Sequence, residues 1–511
     1  MASSSSSSSF PDVFSWIEKL PPIIQWKSED SNNYSINLCP LSSSSQPSLK
    51  LSINNFNASY STLSIFADYN LPISLWTSKK ILPKSKKILD NNNEDDSTPI
   101  LVSNFIEDVL KYCSNKCPSS PKLPRTAYSE NALKRDIFNF SLLTLTFVVC
   151  VYEAPTDLRA SCLEILKNEL ACAKSREVSK VLMRLMGSNT EEQWMRSMNL
   201  AITNWYSEID PTTNNNNPAV LKTPSSLFSY SRSTLGLWKV QLYCPVIAMD
   251  VEKSSGPSPD DRLIFSLNYH QLEGVIQLNY RVSVQEKWIQ VMVNTDNIRC
   301  DVVKLLTEKL MKERGTGASE KHFPSRIALQ ITPTTLQSNV ISISVSKSSE
   351  NQPREIGVEK GIEASFEPPT AIGLHFSAGE TVTTSLKPWK FEQSVYGSTA
   401  NLNWFLHDSG DGREVFSSKP SKFALLQPKA WFKNRYSSAN RPFTRQGGVV
   451  FAGDEYGESV SWKVDRGCMG RCMEWEVNGW IWLTYWPNKH RTFYTETRKF
   501  QFKEIVTLTL G

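Results

Sequence analysis

The chain has 511 residues, of which 40% are hydrophobic, 21% charged and 11% aromatic. Because one hydrophobic core does not serve a chain of this length, we expect about two to four domains. The formal net charge of +5 is small for this length. The net charge therefore gives no argument for nucleic-acid binding over the whole surface.

The N-terminus, MASSSSSSSF, has neither the positive segment nor the apolar segment of a secretory signal. It is serine-rich, as chloroplast transit peptides are, but Asp12 and Glu18 follow soon and the first arginine is Arg125. We therefore predict a cytoplasmic protein, with a nuclear or peripheral membrane location as alternatives and the chloroplast less favoured. The ten cysteines show no framework spacing, so most are expected to be reduced and buried.

Residues 1–99 are predicted to form a mixed segment with a short helix and strands. Apolar residues at helical spacing predict a helix over Pro11–Leu20, and β-type apolar stretches lie at Leu49–Ile53 and Thr62–Trp76. The lysine cluster from Lys79 to Lys87 indicates an exposed loop. A nuclear import signal is the alternative interpretation of this cluster.

Residues 100–209 are predicted to form a helical domain, either a bundle or a cap on the β-rich half. The helices predicted from apolar stripes and caps are Ile100–Cys113, Tyr128–Tyr152, Thr156–Lys174 and one that starts at the capping box Ser188–Glu191. The most apolar run, Ile137–Tyr152, has about 16 residues, whereas a membrane-spanning helix needs roughly 20. We predict a buried core helix there, with membrane insertion as the alternative.

Residues 210–226 are rich in Asn, Pro and Thr and predict a linker. Beyond it the pattern predicts two antiparallel β-sandwich-like units, 227–350 and a Trp-rich 360–511. One helix, Val302–Arg314, is expected in the first unit with Asp301 as its cap. The fold class is therefore α+β. The strands predicted in the first unit are Leu237–Met249, Leu263–Tyr269, Val275–Val284, Trp288–Asn294, Ile327–Ile331 and Val340–Val345.

A two-residue hairpin turn is predicted near the C-terminus. Asn478 and Gly479 separate two apolar stretches, and both residue types tolerate the positive φ that such a turn requires. The pattern predicts that the flanking stretches Trp475–Val477 and Trp480–Leu483 pair with each other.

Two cysteines, Cys468 and Cys472, flank a three-residue loop. If that loop joins two strands, it can place the thiols opposite each other within disulfide reach. Structural thiols beside a turn are the favoured interpretation, and a redox-sensitive disulfide is the alternative. No second Cys pair or His pair completes a four-ligand zinc site, so no metal site is predicted.

No sequence motif in the chain indicates a catalytic residue or a cofactor site. The segment HDSGDG at 407–412 is interpreted as a polar turn, because an aspartic protease would need a second such carboxylate. No phosphate-binding loop occurs. The five histidines lie far apart and outside known motifs; they are His270, His322, His375, His407 and His490.

The stretch 429–445 interleaves cations with aromatic rings and contains no acidic residue. Such a pattern suits phosphate backbones with stacked bases or anionic lipid head groups. The alternative is a loop whose rings pack on the sandwich while its cations are solvated. The candidate ligand-binding residues are Lys429, Trp431, Lys433, Arg435, Tyr436, Arg441 and Arg445.

The C-terminal end is rich in tryptophan, with Trp462, Trp475, Trp480 and Trp482 among others. Strand alternation favours a core position for most of these rings, and an exposed platform that stacks on sugar rings is the alternative. Two segments of the chain, LRASCLEILKNEL from Leu158 and GWIWLTYWPNKHRTFYTE from Gly479, resemble an uncharacterised plant protein family. This resemblance implies no activity, substrate or site.

Three functions remain as hypotheses. The first is a non-enzymatic intracellular interaction or scaffold protein that binds a protein partner through sandwich surfaces. The second is a peripheral membrane or anionic-ligand protein that binds lipid or nucleic acid through 429–445. The third is a hydrolase whose site is assembled from residues distant in the sequence.

Overall fold

The structure is a computed structural model, and it describes residues 10–21, 34–39, 47–56, 60–82, 89, 97–112, 131–208, 227–255, 261–306, 310, 322–345, 354–359, 381–386, 389–406, 449–452, 459–485 and 494–511. The predicted linker 210–226 lies outside these residues. Helices and antiparallel sheets are both present, which confirms the α+β class.

A short helix and a small antiparallel sheet form the N-terminal part. The helix begins after its N-cap Asp12, whose carboxylate accepts a hydrogen bond from the Ser15 backbone N–H at 3.1 Å. The strands pair in chain order, and the helix and strands expected in this segment are confirmed. The elements are α1 (Val13–Glu18), β1 (Tyr34–Asn37), β2 (Leu49–Phe56), β3 (Tyr60–Ala67) and β4 (Ile73–Thr77).

Five helices follow, and α3 lies at their centre. They are α2 (Thr98–Lys111), α3 (Asn131–Glu153), α4 (Thr156–Ala171), α5 (Ala173–Met186) and α6 (Ser188–Glu208). Phe138 of α3 packs edge-on against Phe14 of α1 and Phe105 of α2, with ring centroids 5.4 and 5.3 Å apart. The helix predicted to reach Lys174 ends earlier, because Cys172 is extended and caps the next helix.

The apolar run in α3 is buried inside the protein. Every residue from Phe140 to Val151 is buried. By length and composition α3 could cross a membrane, and 78% of its most apolar window is covered by the rest of the protein. The prediction of a buried core helix at Ile137–Tyr152 is confirmed.

The remaining elements build the β-rich part. They are β5 (Ser229–Thr234), β6 (Leu237–Pro245), β7 (Asp250–Ser255), α7 (Asp261–Tyr269), β8 (His270–Val284), β9 (Trp288–Lys304), β10 (Phe323–Pro333), β11 (Val340–Val345), β12 (Arg354–Glu359), β13 (Thr381–Leu386), β14 (Trp389–Tyr396), β15 (Thr399–Leu406), β16 (Val449–Ala452), β17 (Ser459–Asp465), β18 (Cys472–Tyr485) and β19 (Thr495–Thr509).

Two large antiparallel sheets arise from these strands. The six-stranded sheet has the order β14-β15-β10-β18-β19-β7, and the seven-stranded sheet has the order β11-β17-β9-β8-β6-β5 with β16 also beside β9. Strands β12 and β13 pair only with each other among the described residues. Each large sheet takes strands from both 227–350 and 360–511. The boundary between these two ranges therefore does not separate the sheets.

Tryptophan rings fill the space between the two sheets. Trp475 of β18 lies 5.7 Å from Trp238 of β6 and 4.6 Å from Trp462 of β17, measured between ring centroids. All three side chains are fully buried, and loss of one such ring costs about 3–5 kcal/mol. The core position predicted for most of the C-terminal tryptophans is confirmed for Trp462 and Trp475.

The predicted hairpin at Asn478 and Gly479 is wrong. Strand β18 runs through both residues without a turn, and it pairs with β10 on one side and β19 on the other. Gly479 serves close packing instead of a turn: a Cβ there would lie 1.9 Å from the Phe502 ring on β19. Glycine in a strand can mark close approach as well as a turn.

Two further local predictions are wrong. Leu263–Tyr269 lies in helix α7, where Leu263 and Leu267 are buried four residues apart while Ile264 is 44% exposed. Val302 to Lys304 belong to β9 and do not begin a helix. Burial at Cys300 and Val302 continues the two-residue period of that strand.

Candidate functional site

The basic-aromatic stretch 429–445 and the predicted polar turn at 407–412 lie outside the described residues. This holds for Lys429, Trp431, Lys433, Arg435, Tyr436, Arg441 and Arg445, and for the segment 407–412. The role of this stretch in ligand binding therefore stays a prediction. His375, His407 and His490 also lie outside the described residues.

The two thiols of the predicted pair face different surroundings. Cys468 is buried in a short turn after β17, whereas Cys472 is exposed at the start of β18, and neither forms a disulfide. The loop does join two strands, as the sequence indicated. The other described cysteines are also unpaired, and all but Cys172 are buried.

A buried charged cluster lies at one end of the six-stranded sheet. Glu496 accepts hydrogen bonds from Tyr494 at 2.8 Å and from Arg498, and its Oε1 is 3.3 Å from His322 Nε2. Arg498 also donates to the backbone carbonyls of Val246 and Met249. The cluster therefore ties β19 to the chain segment before β7.

The electrostatics of this cluster indicate a structural role. Burial pushes the pKa of Glu496 upward, but hydrogen bonds from His322 and Arg498 outweigh burial and lower this pKa to about 2. Burial lowers the pKa of His322. Glu496 is thus an ion held by its neighbours, and no described nucleophile is bonded to His322.

The outer surface of the seven-stranded sheet is partly covered by helix α6, and we call it the covered face. Arg196 of α6 donates to both carboxylate oxygens of Glu273 on β8, at 2.8 and 3.1 Å. Asn199 of α6 donates to Gln271 Oε1 at 2.7 Å and to the Tyr243 carbonyl at 3.2 Å. These hydrogen bonds join the helix to the sheet.

Glu191 is the most buried carboxylate on the covered face, with 2% of its surface exposed. It accepts hydrogen bonds from Tyr230, from Tyr243 at 3.2 Å and from Arg232 at 3.2 Å. Burial raises the pKa of Glu191, and the nearby Arg232 only partly offsets this. A groove of about 350 Å³ beside α6 is lined by residues of both charge signs, including Arg196, Lys239, Glu273, Arg299 and Asp301.

No helix among the described residues packs on the outer surface of the six-stranded sheet, and we call this surface the open face. Strand register aligns its side chains in three rows across neighbouring strands. The charged row is Phe405, Arg326, Trp482 and Lys499; the middle row is Asn403, Ala328, Trp480 and Gln501; the amide row is Ser394, Asn401, Gln330 and Asn478.

Two cations of the charged row lie against one tryptophan. The guanidinium of Arg326 is 4.4 Å from the Trp482 ring centroid and 4.7 Å from that of Phe405. The ammonium of Lys499 is 5.6 Å from the Trp482 ring. These are cation–π distances, and stacking between two rings restricts the motion of the Arg326 side chain.

The three rows surround a groove of about 320 Å³. Among its described lining residues two are basic, Arg326 and Lys499, and none is acidic. Glu392 and Asp250 lie at the outer ends of two rows, in register with Asn403 and Lys499. The groove can hold a ligand that accepts hydrogen bonds and carries negative charge.

Sequence reasoning missed the open face. Part of the signal was present as alternation, since polar and apolar residues alternate from Asn401 to Trp404, whereas Arg326 and Gln330 flank the apolar run Ile327–Leu329. Alternation identifies an outward-facing surface, but it does not say which strands are neighbours. Only the pairing of β10 with β15 and β18 brings Arg326, Asn403 and Trp480 together.

Comparison with known proteins assigns neither a family nor a function to the chain. No protein-family model and no curated protein matches the chain. Among solved structures, Clostridium perfringens delta-toxin is 9% identical, with a TM-score of 0.23 and coverage of 54% of this chain and 94% of the toxin. The membrane-inserted form of the Clostridium perfringens NetB toxin is 9% identical, with a TM-score of 0.19 and coverage of 55% and 93%. At TM-scores this low the likeness supports no conclusion about this chain.

Proposed function

We propose that the protein is a non-enzymatic binding protein that holds an anionic ligand on its open face. The observation that carries this proposal is the groove in which Arg326 and Lys499 flank Trp482 and no described lining residue is acidic. The role agrees with the anionic-ligand hypothesis formed from the sequence. Its location changes, from 429–445 to the six-stranded sheet.

Preorganisation favours ligand binding at this position. A guanidinium presents a planar fork of N–H donors that matches carboxylate and phosphate oxygens. Because Arg326 is already stacked between Phe405 and Trp482, less side-chain entropy is lost when it meets a ligand. A hydrogen bond to a charged group contributes about 1.5–3 kcal/mol, so we expect each cation to change affinity about 10-fold to 100-fold.

The scaffold and hydrolase hypotheses have less support in the described part of the chain. The two described histidines, His270 and His322, are buried in the core. No cluster of three or more His, Cys, Asp or Glu suited to a metal ion occurs among the described residues. The covered face is occupied by α6, which leaves the open face as the better surface for a ligand.

The test is binding of the full-length protein to four anionic probes. These are an oligogalacturonate, a polyphosphate, phosphatidylserine vesicles and single-stranded DNA, each measured by calorimetry or sedimentation. We expect at least one probe to bind, more weakly at high ionic strength. The double variant R326Q/K499Q should lose about 100-fold in affinity or more, from the loss of two charge-assisted contacts.

The matched control is Lys463→Gln. Lys463 also lies over a tryptophan, 4.4 Å from the Trp288 ring, but it belongs to the seven-stranded sheet. This variant should bind as the wild type does. Lys499→Gln alone serves if the double variant is less stable. The proposal would be contradicted if Lys499→Gln and the folded double variant bound the probe as tightly as the wild type. It would also be contradicted if none of the four probes bound.

A further inference from the structure

One small side chain forms the floor of the groove on the open face. Ala328 lies in register between Asn403 on β15 and Trp480 on β18, and it is 6% exposed. Because its neighbours in the row are much larger, their side chains stand higher on either side. A ligand that reaches the floor is flanked by an amide on one side and an indole on the other.

Amides form much of the wall of this groove. Asn401, Asn403 and Gln330 are partly exposed, and no side-chain hydrogen bond between described residues engages them. An amide offers both donors and an acceptor, as a hydroxyl group does. Carboxylate and phosphate oxygens only accept, so an ion without hydroxyl groups would leave the amide carbonyls of the wall unused.

Trp480 adds an apolar surface beside the amides. Its side chain is partly exposed and lies in the middle row, next to the floor at Ala328. An indole ring combines a large apolar face with a polar edge. A sugar ring has the complementary character, with C–H groups on its faces and hydroxyl groups around its edge.

The number of cations limits how much charge the ligand carries. Arg326 and Lys499 lie two strands apart, which is about 10 Å at the usual strand spacing. Nucleic acids and long polyphosphates obtain most of their affinity from many cations along their length. Two separated cations fit a ligand whose charges are carboxylates on individual sugar rings.

We infer that the ligand is an acidic oligosaccharide. Its ring carboxylates lie against the cations of the charged row, its hydroxyl groups against the amides of Asn401, Asn403 and Gln330, and one sugar ring against Trp480. The inference rests on the proposed function, because it assigns a ligand class to the same groove. It adds a role for three amides and one indole that charge alone does not require.

The experiment compares four ligands of matched length on the full-length protein. They are an oligogalacturonate, its fully methyl-esterified form, a neutral oligogalactose and a polyphosphate. We expect the oligogalacturonate to bind most tightly, and the ester and the neutral oligomer to bind at least 10-fold more weakly. The double variant N403A/Q330A should weaken oligogalacturonate binding about 10-fold or more and leave residual polyphosphate binding unchanged.

The outcomes separate the two proposals. If polyphosphate binds more tightly than oligogalacturonate and only R326Q/K499Q weakens it, the saccharide inference is overturned and the anionic-ligand function stands. If the methyl ester binds as tightly as the acid, or if no anion binds, both are overturned. Trp480→Ala is the second variant for the inference: it should weaken oligogalacturonate binding and spare polyphosphate, and loss of both to the same extent would contradict stacking on a sugar ring.

Discussion

The two outer faces of the sandwich differ in what satisfies their polar side chains. On the covered face, Arg196 of α6 meets Glu273 of β8 and Arg232 meets Glu191. On the open face, the cations of Arg326 and Lys499 lie against a ring, and the amides in the rows beside them face the groove. The same residue types therefore join two parts of the protein on one face and line a groove on the other.

Polar composition alone therefore does not distinguish a surface that packs against a helix from a surface that binds a ligand. Both faces carry Arg, Lys, amides and aromatic rings. On the open face Glu476 pairs with Lys503 outside the groove lining, whereas on the covered face Glu191 and Glu273 form ion pairs that join α6 to the sheet. We therefore expect substitutions on the covered face to change stability and substitutions on the open face to change binding.

The largest effect should follow Glu191→Ala on the covered face. The substitution leaves buried hydroxyl groups and Arg232 without their shared carboxylate. Breaking such a buried ion pair costs about 3–5 kcal/mol of unfolding free energy, measured by urea denaturation. Asn403→Ala on the open face is the control and should change stability by no more than about 0.5 kcal/mol. Equal losses of unfolding free energy in the two variants would contradict the proposed difference between the faces.

Glu191 also gives the covered face a pH dependence. Because burial raises its pKa above the ordinary value of 4.5, the protonated form favours the fold more than the ionised form does, and this protonation-linked part of the stability is fully present below pH 4.5. That stability is lost as the pH rises through the raised pKa. Glu191→Gln keeps the shape without the charge, so its unfolding free energy should show a smaller fall between pH 4.5 and 7 than the wild type.

The buried cluster at the end of the six-stranded sheet should respond to acid in the opposite sense. Glu496 has an ordinary pKa of 4.5 and a folded pKa of about 2, so its contribution is present above pH 4.5. It is lost as the pH falls from 4.5 towards 2. The lowered pKa of His322 adds a loss of stability below its ordinary value of 6.5.

Glu496→Gln tests this assignment. At pH 7 the variant should lose on the order of 3 kcal/mol, and its stability should vary less with pH between 4.5 and 2. Thermal unfolding across this pH range is the measurement. R326Q/K499Q should keep the wild-type acid profile, because those cations belong to the open face. A flat wild-type profile in acid would show that Glu496 is not held as an ion.

Two adjacent residues of β18, Gly479 and Trp480, provide a test with a smaller expected effect. Gly479 faces the core, whereas Trp480 faces the groove on the open face. Gly479→Ala places a methyl group against the buried Phe502 ring, and overpacking of this kind costs about 1–3 kcal/mol. Trp480→Ala should cost less stability and more ligand affinity. Urea denaturation of both variants measures which of them loses more unfolding free energy. Combining Gly479→Ala with Phe502→Leu should recover part of the loss, and no recovery would contradict the contact.

The sequence predicts what depends on local pattern and fails where strand pairing decides. Apolar stripes and caps predict α1 to α4 and α6, since the contacts within a helix are close in the chain, and α3 shows this best, whereas the sequence pattern did not predict α5. Asn478-Gly479 was misread because its turn preference is local, whereas its actual pairing with Gln330 and Phe502 involves strands elsewhere in the chain. Leu263–Tyr269 was misread because a short apolar run fits a strand and a helix equally.

The candidate site was not predictable for the same reason. Arg326, Asn403 and Lys499 come from three separated parts of the chain, and no local motif connects them. The rows exist only because β10 lies between β15 and β18. Trp480 and Trp482 lie beside those residues because of the strand register, which the sequence alone does not give. The predicted patch at 429–445 was selected because its residues are adjacent in sequence.

The most direct test of the open face is lysine footprinting of the wild-type protein with and without oligogalacturonate. An amine-acetylating reagent and mass spectrometry report the reactivity of each lysine in one experiment. Lys499 and Lys463 are both partly exposed and both lie over a tryptophan, so Lys463 is an internal control. Binding on the open face predicts that ligand lowers the reactivity of Lys499 and leaves that of Lys463 unchanged. Equal reactivity of Lys499 with and without bound ligand would contradict the account.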